Sequence, residues 1–216
     1  MQDSGNGRRG ANQPTFMKRA AAKKRNQWQD HYARKAKKER FPARSVYKLE
    51  EIQQKYRLIK KGHNVLDLGC SPGSWLVYAG RLTGDKGRVI GIDLKPVSIQ
   101  VPPHIKIVTA DVFELDVESL GNDFNVVLSD MAPATTGHKA VDAARSLNLC
   151  ETALDIAQRI LRPEGSFVCK VFQGPDFDQF VNSVRIVFKT QKIFKPRSSR
   201  KASKEIYVIG TGFKGK

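Results

Sequence analysis

A doubly wound α/β domain is predicted: a mostly parallel seven-stranded sheet that closes on an antiparallel pair, with helices on both faces. Three observations carry this expectation. Apolar runs of strand length alternate with helical patterns from about residue 63 to 188, which is the signature of βαβ units. The last two β-branched runs, Lys189–Phe194 and Glu205–Gly212, are joined by a short basic connection, as an antiparallel hairpin requires. A chain of 216 residues, 40% hydrophobic, can bury one sizeable core with an appendage.

The elements follow in order. Residues 1–15 are rich in Gly, Asn and Gln with no apolar pattern, so they are expected to be disordered. Residues 16–40 are dense in Ala, Lys, Arg and Gln, good helix formers with a thin apolar face. This helix is expected to order only on binding a partner. The division expected is a basic extension over 1–40 and a folded domain over 41–216. Phe41-Pro42-Ala43-Arg44-Ser45 reads as a turn with Ser45 as N-cap, and Val46, Leu49, Ile52 and Tyr56 then recur at helical spacing. That helix carries Lys48 on its first turn. The stretch from Val65 to Trp75 reads as a first strand with Asp67 and Gly69 where it ends, then a turn through Cys70-Ser71-Pro72, with Gly73 opening a helix. Later strands are Val89–Leu94, Ile105–Asp111, Phe124–Asp130 and Gly165–Phe172. Helices are expected at about 139–161, before Pro163, and at about 175–188.

The first turn holds the chemistry. Glycine lets the backbone approach a ligand closely, and a strand-to-helix turn at the carboxyl edge of an α/β sheet is where nucleoside cofactors dock. This turn is not G-x-G-x-x-G, and the phosphate-cradling G-x-x-x-x-G-K-[ST] is absent from the chain. An acidic strand end with such a turn suits an adenosyl cofactor without phosphates, S-adenosylmethionine; the alternative is an ordinary βα turn of a nucleotide-binding domain. Asp93 lies 20 residues beyond Gly73, where a carboxylate accepts both ribose hydroxyls of a nucleoside. Four successive strands each close on an acid, Asp67, Asp93, Asp111 and Asp130. Any one is an ordinary N-cap candidate, and capping or support is the favoured role for Asp67. Four together make one negative edge, and a sulfonium is a cation.

Charge points to the partner. The net charge is +17, and residues 1–48 supply +11 of it. A second cluster over 185–204 holds eight Lys or Arg and no acid. Two basic segments flanking one site imply a polyanion, with nucleic acid ahead of an anionic membrane. No apolar run has membrane-spanning length, and the N-terminus has no signal-peptide core. Cys70, Cys150 and Cys169 lie far apart and no C-x-x-C occurs; the histidines at 31, 63, 104 and 138 lack ligand spacing. Reduced core cysteines, no metal and a cytoplasmic monomer are expected.

The motifs Arg44-Ser45-Val46-Tyr47-Lys48-Leu49, Asp67-Leu68-Gly69 with Pro72-Gly73 and Trp75, Ser129-Asp130-Met131-Ala132-Pro133, Lys170-Val171-Phe172-Gln173-Gly174, and Ser198-Ser199-Arg200 with Glu205-Ile206-Tyr207 together resemble the FtsJ-type RNA ribose 2′-O-methyltransferases. The match runs from about Arg44 to Gly212. It implies a class I S-adenosylmethionine-dependent (Rossmann-like) fold. It implies a catalytic tetrad on Lys48, Asp130, Lys170 and Glu205, and cofactor contacts at Gly73, Trp75, Asp93, Asp111 and Asp130. For the bacterial branch of the family it implies a uridine of large-subunit ribosomal RNA as target. The chain departs from the family's usual Ala-Ala-Pro-Gly-Gly-Trp with Cys70-Ser71-Pro72-Gly73-Ser74-Trp75, small residues for small. The basic extension is also longer than the family pattern leads one to expect.

The chemistry agrees. A ribose hydroxyl is a poor nucleophile at neutral pH, so the site must align the reacting atoms and guide one proton. A lysine serves as base where burial, a second cation and the sulfonium favour the neutral amine. Lys170 is assigned that role because it interrupts the apolar run Phe167-Val168-Cys169 and Val171-Phe172. Asp130 would orient it and help to hold the methionine amine; Lys48 and Glu205 would fix the ribose. Two alternatives remain open: another RNA target such as a transfer RNA, and a non-catalytic ribosome-assembly factor on the same fold.

Overall fold

The computed structural model describes residues 31–134, 136–200 and 203–215. The expectations for residues 1–30 lie outside the described residues. Helix α1 spans 31–38. Then come α2 (Val46–Tyr56), β1 (Asn64–Leu68), α3 (Ser74–Thr83), β2 (Arg88–Asp93), β3 (Ile105–Thr109), a short 3-10 turn at Glu118–Leu120, β4 (Phe124–Ser129), α4 (Lys139–Ile160), β5 (Leu161–Phe172), α5 (Phe177–Val187), β6 (Phe188–Phe194) and β7 (Glu205–Phe213).

The seven strands form one sheet in the order β3-β2-β1-β4-β5-β7-β6. β1 pairs in parallel with β2 and β4, β2 with β3, and β4 with β5. β7 inserts antiparallel between β5 and β6. The strand order reverses at β1 and β4, and ligands in open α/β sheets bind outside the carboxyl ends at such a point.

The alternation of the strands divides the core. Val65, Val89, Val126, Leu128 and Val168 face Leu49 and Ile52 of α2 and Leu76 and Ala79 of α3. Leu66, Leu68, Ile92, Val127 and Phe167 face Cys150, Leu154 and Ala157 of α4 and Phe180 and Val184 of α5. Side chains one apart on a strand point to opposite faces, so near-continuous apolar runs were the signal of a sheet covered on both sides.

Several details depart from the sequence expectations. β3 ends at Thr109 and β4 at Ser129, so Asp111 and Asp130 lie just beyond their strands. β5 begins at Leu161 rather than Gly165, and its pairing with β4 shifts between Phe124 and Val126, beside Glu164 at φ +66°. Ser45 stands at the N-terminus of α2, but its side chain makes no capping hydrogen bond. Residues 31–38 pack on the domain through their own contacts. Ala36 is buried, and the rings of Tyr32 and Tyr47 lie 5.1 Å apart. Among the described residues, no helix is long and apolar enough to cross a membrane.

Candidate active site

The turn after β1 explains its glycines. Gly69 has φ +77°, and a Cβ there would meet the Met131 Cγ at 2.7 Å and the Met131 backbone nitrogen at 3.0 Å. Two chain segments therefore meet backbone to backbone at the switch point of the sheet. Gly73 has φ +106° at the start of α3, and a Cβ there would strike Ile99 and Val97.

A cleft of about 460 Å³ opens beside this turn, across the ends of β1, β2, β3 and β4. That volume is in the range of sites for drug-sized ligands. Its walls include Asp93, Asp111 and Asp130, with Leu94 and Phe113 as exposed apolar residues. Asp93 accepts the backbone N–H groups of Ser71 at 2.9 Å and Lys95 at 2.8 Å. Each of its oxygens keeps a lone pair for a ligand hydroxyl. Asp111 accepts the Phe113 N–H at 3.0 Å. The donor set fits a cationic nucleoside: carboxylates for hydroxyls and positive charge, and apolar faces for a base.

Gly73 and Trp75 do not line this cleft. Trp75 is buried, donates its indole N–H to the Ser45 carbonyl at 2.9 Å, and packs 5.8 Å from the Tyr207 ring. It ties α3 to the entry of α2. Asp67 also departs from expectation. It lies inside β1, fully buried, and neither carboxylate oxygen has a hydrogen-bond partner among the described residues. It caps no helix. Burial, with Asp130 and Asp93 nearby, pushes its carboxyl well above the usual range, toward the neutral acid.

Asp130, Lys170, Lys48 and Glu205 come together in one network. Asp130 sits one residue beyond β4, and Lys170 lies two residues before the end of β5. Lys170 Nζ is 3.0 Å from Asp130 Oδ1 and also donates to the Asp130 carbonyl oxygen. Lys48 Nζ is 3.8 Å from the same Oδ1 and 3.0 Å from Glu205 Oε1. Tyr207 donates its hydroxyl to Asp130 Oδ1 at 2.6 Å. Burial alone would raise the proton affinity of Asp130, but Lys170, Lys48 and the Tyr207 hydroxyl outweigh it and hold the carboxyl below its ordinary range. Burial, then Asp130 and Glu205, push the Tyr207 phenol well above its usual range, so it remains a donor.

Sequence reading gave no role to Tyr207 or Glu51. Tyr207 was open to period-two reasoning, since it shares a strand face with Glu205 and stands opposite Lys170 in the β5–β7 register. Glu51, one turn beyond Lys48, accepts the backbone N–H groups of Arg197 at 2.7 Å and Ser198 at 2.8 Å. It moors the basic loop before Glu205 to α2. Lys35 of α1 and Arg197 of that loop line one open hollow of about 580 Å³ with Tyr32, Lys55 and Phe194. One described cation of each basic segment thus lines the same hollow, beside Glu50 and Glu51. No group of three or more His, Cys, Asp or Glu suited to a metal occurs among the described residues.

Known proteins match this chain. The FtsJ-like methyltransferase family model covers residues 41–213. The ribosomal RNA large subunit methyltransferase E of Desulforapulum autotrophicum is 58% identical over 194 residues, covering 88% of this chain and 96% of its own length. That of Desulfatibacillum aliphaticivorans is 56% identical over 196 residues, covering 89% and 95%. A crystal structure described as a ribosomal RNA methyltransferase from Plasmodium falciparum superposes with a TM-score of 0.71 at 24% identity, over 82% of this chain and all of that one, and shows the shared fold. A family match over nearly all of the described fold, with these relatives, shows that the chain belongs to the FtsJ-like methyltransferases.

Proposed function

We propose that this protein methylates a ribose 2′-hydroxyl of RNA, a uridine of large-subunit ribosomal RNA, using S-adenosylmethionine. The observation that carries the reading is the ion-pair network of Lys170, Asp130, Lys48 and Glu205 at the mouth of an acid-walled nucleoside cleft. The substrate is supported by relatives named for large-subunit ribosomal RNA and by the net charge of +17.

S-adenosylmethionine, when bound, supplies a methyl group already activated by its sulfonium. Asp93 would accept the ribose hydroxyls of the cofactor, Leu94 and Phe113 would flank its base, and Asp111 would face its polar edge. Asp130 would balance the positive charge of its methionine end.

The protein's own residues manage the proton. Asp130 offers Lys170 two acceptors, its Oδ1 and its carbonyl oxygen. To serve as base, Lys170 must meet the substrate as the free amine, with two N–H bonds and one lone pair. With both N–H groups held by Asp130, that lone pair would be left for the incoming 2′-hydroxyl. Lys170 would then take the hydroxyl proton as the methyl group passes from sulfur to oxygen, the electron pair of the broken bond staying on sulfur, and would become an ammonium beside a carboxylate held in its charged form. Lys48, itself fixed by Glu205, stabilises the developing alkoxide. Holding the reacting atoms in line supplies several kcal/mol of the barrier reduction.

The test is nucleoside mass spectrometry of ribosomal RNA from a strain lacking the gene. One 2′-O-methyluridine of the large subunit should disappear and return on complementation. An unchanged set of ribose methylations in the deletion strain would refute the assignment.

A further inference from the structure

A second hollow, of about 190 Å³, opens at the same edge of the sheet and is lined by Asp142, Ala143, Phe172, Gln173, Ser203 and Lys204. It shares no lining residue with the acid-walled cleft. The strand order explains the separation. The cleft spans the ends of β3, β2, β1 and β4, whereas the hollow lies at the ends of β5 and β7. Its Phe172 is two residues beyond Lys170 on β5 and stands opposite Glu205 in the β5–β7 register, which places the hollow next to those two residues along the strands. A ribose presented to Lys170, with the cofactor on the β4 side, therefore has this hollow on its other side.

We propose that the hollow receives the base of the target nucleotide, with Gln173 as the residue that hydrogen-bonds its edge. The inference rests on the ribose-methylation reading above. The lining has the chemistry for a base. Phe172 is a half-buried ring, and unstacked RNA bases are held on aromatic faces. Gln173 is exposed, and its carboxamide has no hydrogen-bond partner among the described residues. Its backbone is fixed, because its N–H is held by the Lys204 carbonyl at 3.3 Å. A carboxamide offers both a donor and an acceptor, which meets the paired donor and acceptor on the Watson–Crick edge of a pyrimidine. Asp142, the acid among these lining residues, is already committed. It accepts the Thr136 N–H at 2.7 Å, the Thr136 hydroxyl at 2.9 Å and the Gly137 N–H at 3.2 Å. Lys204 supplies a cation for a neighbouring phosphate.

Two measurements on the full chain test the assignment. In the first, Gln173→Ala is compared with wild type on the same large-subunit RNA. The KM for RNA should rise about three- to tenfold, the loss expected when a neutral hydrogen bond to the base is removed. The cofactor Kd, read by calorimetry, should stay within twofold. Equal kinetic constants on an RNA that both forms methylate would overturn the base site alone. An RNA that the wild type leaves unmethylated would overturn the ribose-methylation reading and this inference with it. In the second, the target position carries 5-iodouridine and the complex is irradiated. The cross-link should map to the peptide containing Phe172 and Gln173. A cross-link confined to the hollow of Tyr32 and Phe194 would overturn the assignment.

Discussion

Tyr207 and Lys170 share one oxygen. The phenol donates to Asp130 Oδ1 at 2.6 Å, and Lys170 Nζ lies 3.0 Å from the same atom. The two residues also face each other in the β5–β7 register. A carboxylate shared in this way is fixed in direction, and it fixes the amine in turn. Tyr207→Phe should therefore lower kcat about tenfold, matching the loss of a hydrogen bond to a charged group. Cofactor affinity should change little. Steady-state kinetics at saturating RNA check this, and an unchanged kcat would reduce Tyr207 to a space-filling role.

Asp67 makes a pH-dependent prediction. Its carboxyl titrates well above the usual range in the folded protein and at about 3.9 in an unfolded chain. The folded state then binds the extra proton, so stability associated with Asp67 is full below about pH 3.9 and declines as pH rises toward the folded value. Asp67→Asn removes that decline. Its Tm relative to wild type should climb as pH is raised from about 4 to 8. A Tm difference that is constant across this range would show that Asp67 titrates alike in both states.

The role of Asp93 is tested through binding. Asp93→Ala removes the proposed acceptor for the cofactor ribose and also frees the N–H groups of Ser71 and Lys95. Losing hydrogen bonds to a charged group costs roughly 1.5–3 kcal/mol, so S-adenosylmethionine should bind about tenfold more weakly or worse. Calorimetry showing unaltered affinity would remove Asp93 from the site.

The basic extension is tested by truncation before the packed helix α1. Residues 1–30 carry seven Lys or Arg against two acids. Their deletion should raise the KM for RNA and flatten its dependence on salt, because fewer counterions are released on binding. The rate at saturating RNA should hold, since Lys48 and its partners remain. Identical salt slopes for the two forms would make the extension a passive tail. Deleting through residue 38 is a different experiment, because it also removes Ala36 and Tyr32 from their packing.

The sheet was legible because its strands are short apolar runs covered on both faces, and the charged residue in the fifth run marked Lys170. Partners brought from distant parts of the chain were less visible. Lys48 meets Glu205 across 157 positions, a pairing that local patterning does not encode; the family motifs supplied it. Tyr207 was missed because a tyrosine in a β-rich run looks like core, and only its register opposite Lys170 shows its hydroxyl aimed at Asp130. Asp67 was misplaced by one residue. A strand that ends at Leu68 rather than Asp67 turns an edge carboxylate into a buried acid. The role of Trp75 in joining helices depends on the Ser45 carbonyl, a backbone group that sequence does not mark.

The most direct test is methyl transfer by Lys170→Ala on unmethylated large-subunit RNA, with the product nucleoside identified by mass spectrometry. Wild type should form 2′-O-methyluridine. The variant should be slower by about a hundredfold or more, the usual contribution of a general base, while binding S-adenosylmethionine within a few-fold of wild type. Near-normal turnover by the variant, or a methyl group found on the base instead of the ribose, would contradict the assignment of Lys170 as the residue that takes the 2′-hydroxyl proton.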